Sequence, residues 1–303
     1  MLKLRYNDGN RKDSFLMKKT LRIIGILAAC IAVAWFIYAR ANNKFVVSKD
    51  GVKIVYSVYG KGEPALVFVH GWCGSRAVWF KQVPYFAKKY RVITLDLAGH
   101  GASGRQRKVY TQEAYGEDVA AVVNAAGAGK VILIGHSMSG TIILEANRLL
   151  KDKVAGLIAI DTLENFEDFP ASEENRKTYL DPIKKDFARN CAPFMMAMFN
   201  KNADPKLIKE VVRNVSRSDP KIAVSTMECY FDTPIIPLLS DVKAPLWCLN
   251  SDLWQNYPEI NTKYLNNYHL RQMHGVGHFL MVESPDEFNR QLDDIIKRIE
   301  RRV

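Results

Sequence analysis

Cysteine is scarce in this chain of 303 residues: there are five, at Cys30, Cys73, Cys191, Cys229 and Cys248. Their spacing fits no zinc-ligand pattern, and no nucleotide-binding pattern is present, so neither a metal nor another cofactor is expected. Acidic residues are nearly missing from the N-terminal arm. Residues 1–44 hold two Asp against nine Lys/Arg, which puts +7 of the net charge of +11 there and leaves +4 for residues 45–303. A mildly basic body without a recognisable nucleic-acid motif excludes DNA or RNA as the expected partner. At 48% hydrophobic and 25% charged residues, the chain has ample apolar surface for a core. Its length suits one large α/β domain or two smaller ones.

Polar residues are nearly missing from "LRIIGILAACIAVAWFIYARA", residues 21–41, where Arg22 and Arg40 stand at the edges and 17 uncharged residues run from Ile23 to Ala39. That length is at the short end of what spans a bilayer as a helix, and no polar face exists to meet water. Lys18, Lys19 and Arg22 precede the run, and Trp35 and Tyr38 sit near its far end. Positive charge stays inside and aromatic rings favour the interface. The expectation is a basic cytoplasmic tail over residues 1–20 and a transmembrane signal anchor over 21–41. The body would then lie on the periplasmic side of a bacterial inner membrane, attached by a single pass. Met17 is an alternative start. "LAAC", ending at Cys30, matches a bacterial lipobox, which leaves lipidation open as the alternative to an uncleaved anchor. Outside the cytoplasm a disulfide is permitted. Cys191 with Cys229 is the pair to test, against free buried thiols.

What the body does contain is a series of short, nearly continuous apolar runs. "FVVSKDGVKIVYSVYG", residues 45–60, reads as a hairpin about Asp50-Gly51. "ALVFVHGWCG", "RVITLDLAGHGASG", "KVILIGHSMSG", "VAGLIAIDTLENF", "APLWCLNSD" and "YHLRQMHGVGHF" follow, most of them separated by helical patterns such as 112–126 and 139–150. That alternation predicts an α/β fold: a mostly parallel, twisted sheet with helices on both faces, built from residues 45–162 and 241–303. Reactive residues in such sheets lie at the carboxyl ends of the strands. Residues 163–240 lack a clear strand run and are punctuated by seven prolines, so they read as a helical cap insertion. Within it "FMMAMF", 194–199, is either ordinary helix packing or the roof of an apolar pocket. The C-terminal "SPDEFNRQLDDIIKRIERRV" predicts a helix with a capping box of Ser284 and Glu287, Pro285 at its first position, and Phe288, Leu292, Ile295 and Ile299 on one face.

In this order, "HGW", "DLAGHGASG", "GHSMSG" and "GVGHF" resemble the motifs of the α/β-hydrolases, over roughly residues 45–303. The resemblance implies a Ser-His-Asp triad. Ser137 would be the nucleophile on a tight strand-to-helix turn, where Gly135 and Gly140 supply the small neighbours the turn needs. Ser139 stands where the family has glycine, a form similar to strigolactone-receptor-like hydrolases. His278 would be the base, with His274 its local rival, while His70, His100 and His136 shape loops or pack. Trp72 and Met138 would supply the backbone N–H groups of the oxyanion hole. The acid stays open between two strand ends. Asp252 follows the strand that most often carries the acid in this family, but about two residues early, and is slightly preferred. Asp161 is the other candidate. Glu283 would support the histidine loop. The expected function is a membrane-anchored serine hydrolase acting on carboxylic esters or similar small apolar acyl substrates through an acyl-enzyme. The alternative is a ligand-sensing or partner-binding protein on the same fold with slow turnover. Oligomeric state is not legible.

Overall fold

The computed structural model describes residues 42–301. The body is organised by an eight-stranded sheet of order β1-β2-β4-β3-β5-β6-β7-β8. Its strands are β1 (Asn43–Val47), β2 (Lys53–Tyr59), β3 (Ala65–Val69), β4 (Val92–Leu95), β5 (Val131–His136), β6 (Val154–Ile160), β7 (Leu246–Ser251) and β8 (Tyr268–Met273). Each of the seven runs singled out in the sequence supplies the expected strand or strand pair. β2 pairs antiparallel with β4, and the pairs from β4 through β8 are parallel. Every residue of β3, β4, β5 and β6 is buried, as near-continuous apolar runs require when both faces are covered. The turn between β1 and β2 has Gly51 at φ +85°, donating to Ser48 O at 2.9 Å. This is the hairpin expected at Asp50-Gly51.

Helices of ten or more residues are α1 (Gln112–Ala125), α2 (Ser139–Leu150), α3 (Phe187–Met196), α4 (Pro205–Val215), α5 (Pro220–Asp232) and α6 (Pro285–Glu300). Two glycines show that α2 and α6 cover opposite faces. A Cβ on Gly135 would strike the Ser139 carbonyl and Ile143 of α2; one on Gly156 would meet Ile299 of α6 at 2.7 Å. Gly156 pairs with Ile132, three residues from Gly135 on β5, so the two glycines face opposite sides. Along α6, Phe288, Leu292, Ile295 and Ile299 are fully buried as the periodicity predicts. Its expected capping box is not formed. Ser284 already closes the preceding helical turn, Leu280–Glu283, and its side chain makes no cap bond, while Glu287 accepts from Gln291.

Residues 163–240 hold helices and no strand. Their apolar side chains, among them Phe187, Cys191, Met195 and Met227, turn inward. Cys191 and Cys229 are both free thiols, so the candidate disulfide is absent. Among the described residues no helix is long and apolar enough to cross a membrane. The segment read as an anchor, 21–41, lies outside the described residues, as do Met17, Cys30 and the basic tail.

Candidate active site

At the end of β5 the chain turns sharply into α2, and Ser137 sits on that turn at φ +58°. Such a conformation costs a non-glycine residue on the order of 1–2 kcal/mol. It is held by Ser137 N–H donating to Ile160 O and by Gly140 N–H donating to Ser137 O, each at 2.9 Å. Small neighbours are obligatory here. A Cβ on Gly140 would meet Thr162 at 2.5 Å, and one on Gly71 would lie 3.0 Å from Ser137 Cβ. Ser139, the departure from glycine, is fully buried and donates from Oγ to His70 O at 2.5 Å. Its hydroxyl ties the serine turn to the loop after β3.

That loop is fixed from below by two neutral histidines. His70 donates from Nδ1 to Gly71 O at 2.8 Å and accepts Leu97 N–H at Nε2, 3.1 Å away. Those two bonds specify the neutral ring. Burial pushes its pKa down to about 4. His100 donates to Ala98 O at 2.9 Å, and burial, then the neighbouring His70, pushes it down to about 3. Asp96, in the second motif, accepts from Arg76 and from Ala102 N–H, so it shapes its loop. His136 donates to His278 O at 2.9 Å, and burial holds its pKa well below the usual histidine value. It is a neutral wedge beneath His278.

His278 follows β8 and is almost wholly buried. Its Nδ1 lies 2.7 Å from Asp161 Oδ2. The other Asp161 oxygen accepts Ser251 N–H at 2.5 Å. Asp161, at φ +49°, comes one residue after β6, and the end of β7 supplies it with a backbone donor in place of a carboxylate. Asp252, the slightly preferred acid, is not beside His278. It is exposed, accepts Gly275 N–H at 3.1 Å, and has His274 Nδ1 at 3.4 Å. It closes the turn that carries β8 into the histidine loop.

Ser137, His278, Asp161, Trp72 and Met138 all line one cavity of about 950 Å³. Met138 is at the N-terminal end of α2, where helix N–H groups favour negative charge. Trp72 is buried. Its Nε1 donates to Ala223 O of α5 at 2.9 Å, and its ring meets Phe187 and Phe194 of α3 edge-on. Phe194, Met195 and Met198 line the cavity, so the apolar "FMMAMF" stretch is its roof. Trp254 stands edge-on to His278 at 5.1 Å.

Beyond the support of the histidine loop expected of Glu283, two features escaped the sequence. Met198 O accepts His278 N–H at 2.7 Å, and Glu283 Oε2 accepts both Gly277 N–H (3.0 Å) and Asn200 N–H (3.2 Å). The histidine loop is therefore bonded to the cap through backbone atoms, which no motif records. The second is Glu164, which lines the cavity three residues after Asp161. Burial first, and the Asp161 charge second, push its pKa up to about 8. Its signal was a second acid three residues after Asp161, in the strand exit "DTLENF". Among the described residues no group of three or more His, Cys, Asp or Glu could hold a metal ion.

Comparison with known proteins agrees with this fold. Residues 64–203 match the α/β-hydrolase fold family. A non-heme chloroperoxidase of Burkholderia pyrrocinia is 27% identical over 277 residues, covering 82% of this chain and 97% of that one. A karrikin insensitive 2 receptor of Petunia hybrida is 24% identical over 243 residues, covering 76% of this chain and 90% of the other. An esterase from Exiguobacterium antarcticum superposes with a TM-score of 0.76 at 19% identity, over 84% of this chain and 99% of the other, a likeness of fold.

Proposed function

This chain belongs to the α/β-hydrolase superfamily, and we propose that within it the protein is a serine hydrolase acting on carboxylic esters or similar small acyl substrates. The observation that carries this reading is the 2.7 Å bond between His278 and Asp161 in the cavity that Ser137 enters from a left-handed turn. Ser137 Oγ attacks the acyl carbonyl while His278 Nε2 takes its proton. Asp161 fixes the ring with Nδ1–H toward itself and offsets the imidazolium charge. The backbone N–H groups of Trp72 and Met138 receive the oxyanion. His278 then gives the proton to the leaving alcohol, and water releases the acyl-enzyme by the same steps. The aromatic and methionine lining supports an apolar acyl group. In the same proposal, segment 21–41, with its uncharged run 23–39, anchors the body to a membrane.

The direct test is treatment of the full-length chain with a fluorophosphonate, with and without Ser137→Ala, read by intact mass. An adduct on the wild type alone is the expected result, followed by multiple turnover on short esters. A second reading, a ligand sensor, is favoured by Ser139 and by the likeness to the Petunia receptor. It predicts slow turnover together with ligand-dependent stabilisation, and fast turnover on simple esters excludes it.

A further inference from the structure

We propose that Ser139 is a positioning residue for the oxyanion hole: its hydroxyl fixes the separation of the two backbone N–H donors, Trp72 and Met138. This role presupposes the serine-hydrolase reading above. Both donor residues are buried, and among the described residues neither N–H donates to another protein atom. The aim of each donor is set from the far side of its own peptide. A peptide unit is planar and trans, so its C=O and its N–H point in opposite directions. The peptide that carries Trp72 N–H has its carbonyl on Gly71. That oxygen accepts His70 Nδ1–H at 2.8 Å and Gly74 N–H at 3.1 Å. The peptide that carries Met138 N–H has its carbonyl on Ser137, and that oxygen accepts Gly140 N–H at 2.9 Å.

Direction is thus fixed on each loop separately, and the distance between the loops needs its own restraint. One restraint is a stop. A Cβ on Gly71 would lie 2.8 Å from His136 Nδ1 and 3.0 Å from Ser137 Cβ, so the two loops already touch and cannot come closer. Contact alone does not keep them from separating. The bond from Ser139 Oγ to His70 O, at 2.5 Å, does. It starts one residue after Met138 and ends two residues before Trp72, so it closes the interval between the two donors. Ser139 cannot follow a retreating loop. Its carbonyl sits against Gly135, where a Cβ would lie 2.3 Å from it, so the first turn of α2 is seated on β5. Ser139 and His70 are both fully buried. Removing the hydroxyl leaves His70 O a buried acceptor without this partner, which favours movement of the loop. Donors serve an oxyanion only at about 2.7–3.1 Å from the place where its charge develops, so a small retreat of Trp72 weakens the hole. Glycine or alanine at this position keeps Ser137, His278 and Asp161 and loses this restraint.

The test is steady-state hydrolysis of p-nitrophenyl butyrate and of its thiono analogue, in which the attacked C=O is C=S. The full-length wild type is compared with Ser139→Ala and Ser139→Gly, and a thermal melt establishes folding; one folded variant suffices. Sulfur is a weak acceptor, so a well-placed pair of donors favours the oxygen ester strongly and a displaced pair favours it less. In the variants kcat for the oxygen ester should fall about tenfold, less than the roughly 10²- to 10³-fold that outright loss of a donor costs. KM should stay within about twofold, because the interaction strengthens only in the transition state. The oxygen-to-sulfur ratio of kcat/KM should shrink by the same factor of about ten. A serine that serves packing alone would lower the thermal midpoint and leave that ratio at its wild-type value. Such a result overturns the inference, as does an unchanged kcat. A rise in KM with kcat kept overturns it in favour of a role in ground-state binding. Absence of both turnover and a fluorophosphonate adduct in folded wild type refutes the hydrolase reading itself, and this inference with it.

Discussion

Replacing Asp161 by asparagine changes one oxygen to an amide nitrogen and little else. The backbone there is left-handed at φ +49°, which asparagine tolerates. The carboxylate receives two N–H groups, His278 Nδ1–H at 2.7 Å and Ser251 N–H at 2.5 Å. Asparagine has one acceptor oxygen for these two donors. If the oxygen stays with Ser251, the amide donates to His278 Nδ1 and forces the proton onto Nε2. The base is then in the wrong tautomer for Ser137. If the amide flips, its NH2 confronts Ser251 N–H, leaving that buried donor unmet at a cost of about 1–3 kcal/mol. Both arrangements abolish the orientation a triad needs, so kcat for ester turnover should fall by about 10³- to 10⁴-fold. KM should change little, and the thermal midpoint should drop by only a few degrees. The control is Asp252→Asn, at an exposed carboxylate whose partners are Gly275 N–H and His274. It should stay within about threefold of the wild type, because an exposed pair is worth at most about 1 kcal/mol. The assay is steady-state hydrolysis of a p-nitrophenyl ester beside the fluorophosphonate labelling rate. A collapse of activity in Asp252→Asn with Asp161→Asn nearly intact would refute the assignment.

Acid should destabilise the fold. His70 titrates in the folded chain at about 4 and His100 at about 3, against about 6.5 unfolded. Between pH 6.5 and 4 the unfolded chain holds protons that the folded chain lacks, so stability falls with pH, by about 3 kcal/mol for His70 alone. Glu164, raised to about 8, and Asp118, raised to about 6, have the opposite sign, while His136, held well below its usual value by burial, acts with the two other histidines. Urea midpoints should therefore fall from pH 6.5 to 4.5, and an unchanged midpoint would count against neutral buried histidines. Glu283→Ala removes the acceptor of two N–H groups and should slow Ser137 labelling about tenfold or more, with Glu283→Gln restoring most of it; equal losses in both variants would point to charge in place of acceptance. Alkylation of the unfolded, unreduced protein should modify both Cys191 and Cys229, and a mass gained only after reduction would contradict the free thiols.

The sheet was legible because β3, β4, β5 and β6 are buried on both faces and are apolar but for Thr94 and the terminal His136. The serine turn was legible for a related reason: Gly135 lies against the Ser139 carbonyl and Gly140 against the Thr162 side chain, too closely for a Cβ. The acid was not. Two strand ends carry an aspartate, and the choice depends on where β6 stops. Its left-handed exit at Asp161 and Leu163 turns one carboxylate to the histidine, while β7 offers only Ser251 N–H. A one-dimensional spacing rule cannot see that exchange of a side chain for a backbone donor. Ser284 failed as a helix cap because it already ends the turn before it.

The docking of the cap was illegible because backbone atoms carry it, and its consequence is functional. His278 N–H ends on Met198 O, and a Cβ on Gly277 would meet Met198 O and Asn200 N at 2.5 Å. Phe199 stacks on Phe279 at 4.8 Å. The segment 198–200 is thus one wall of the histidine loop as well as part of the roof. Any displacement of that segment must either break the His278 bond to Met198 or draw the loop away from Asp161. On the other side of the cavity, Trp72 is bonded to α5 and packed on α3. The cap therefore touches both the base and the oxyanion loop. Substitutions in Phe194 to Phe199 that leave the core untouched should then lower kcat as well as raise KM, because the roof holds the base in place while it shapes the pocket.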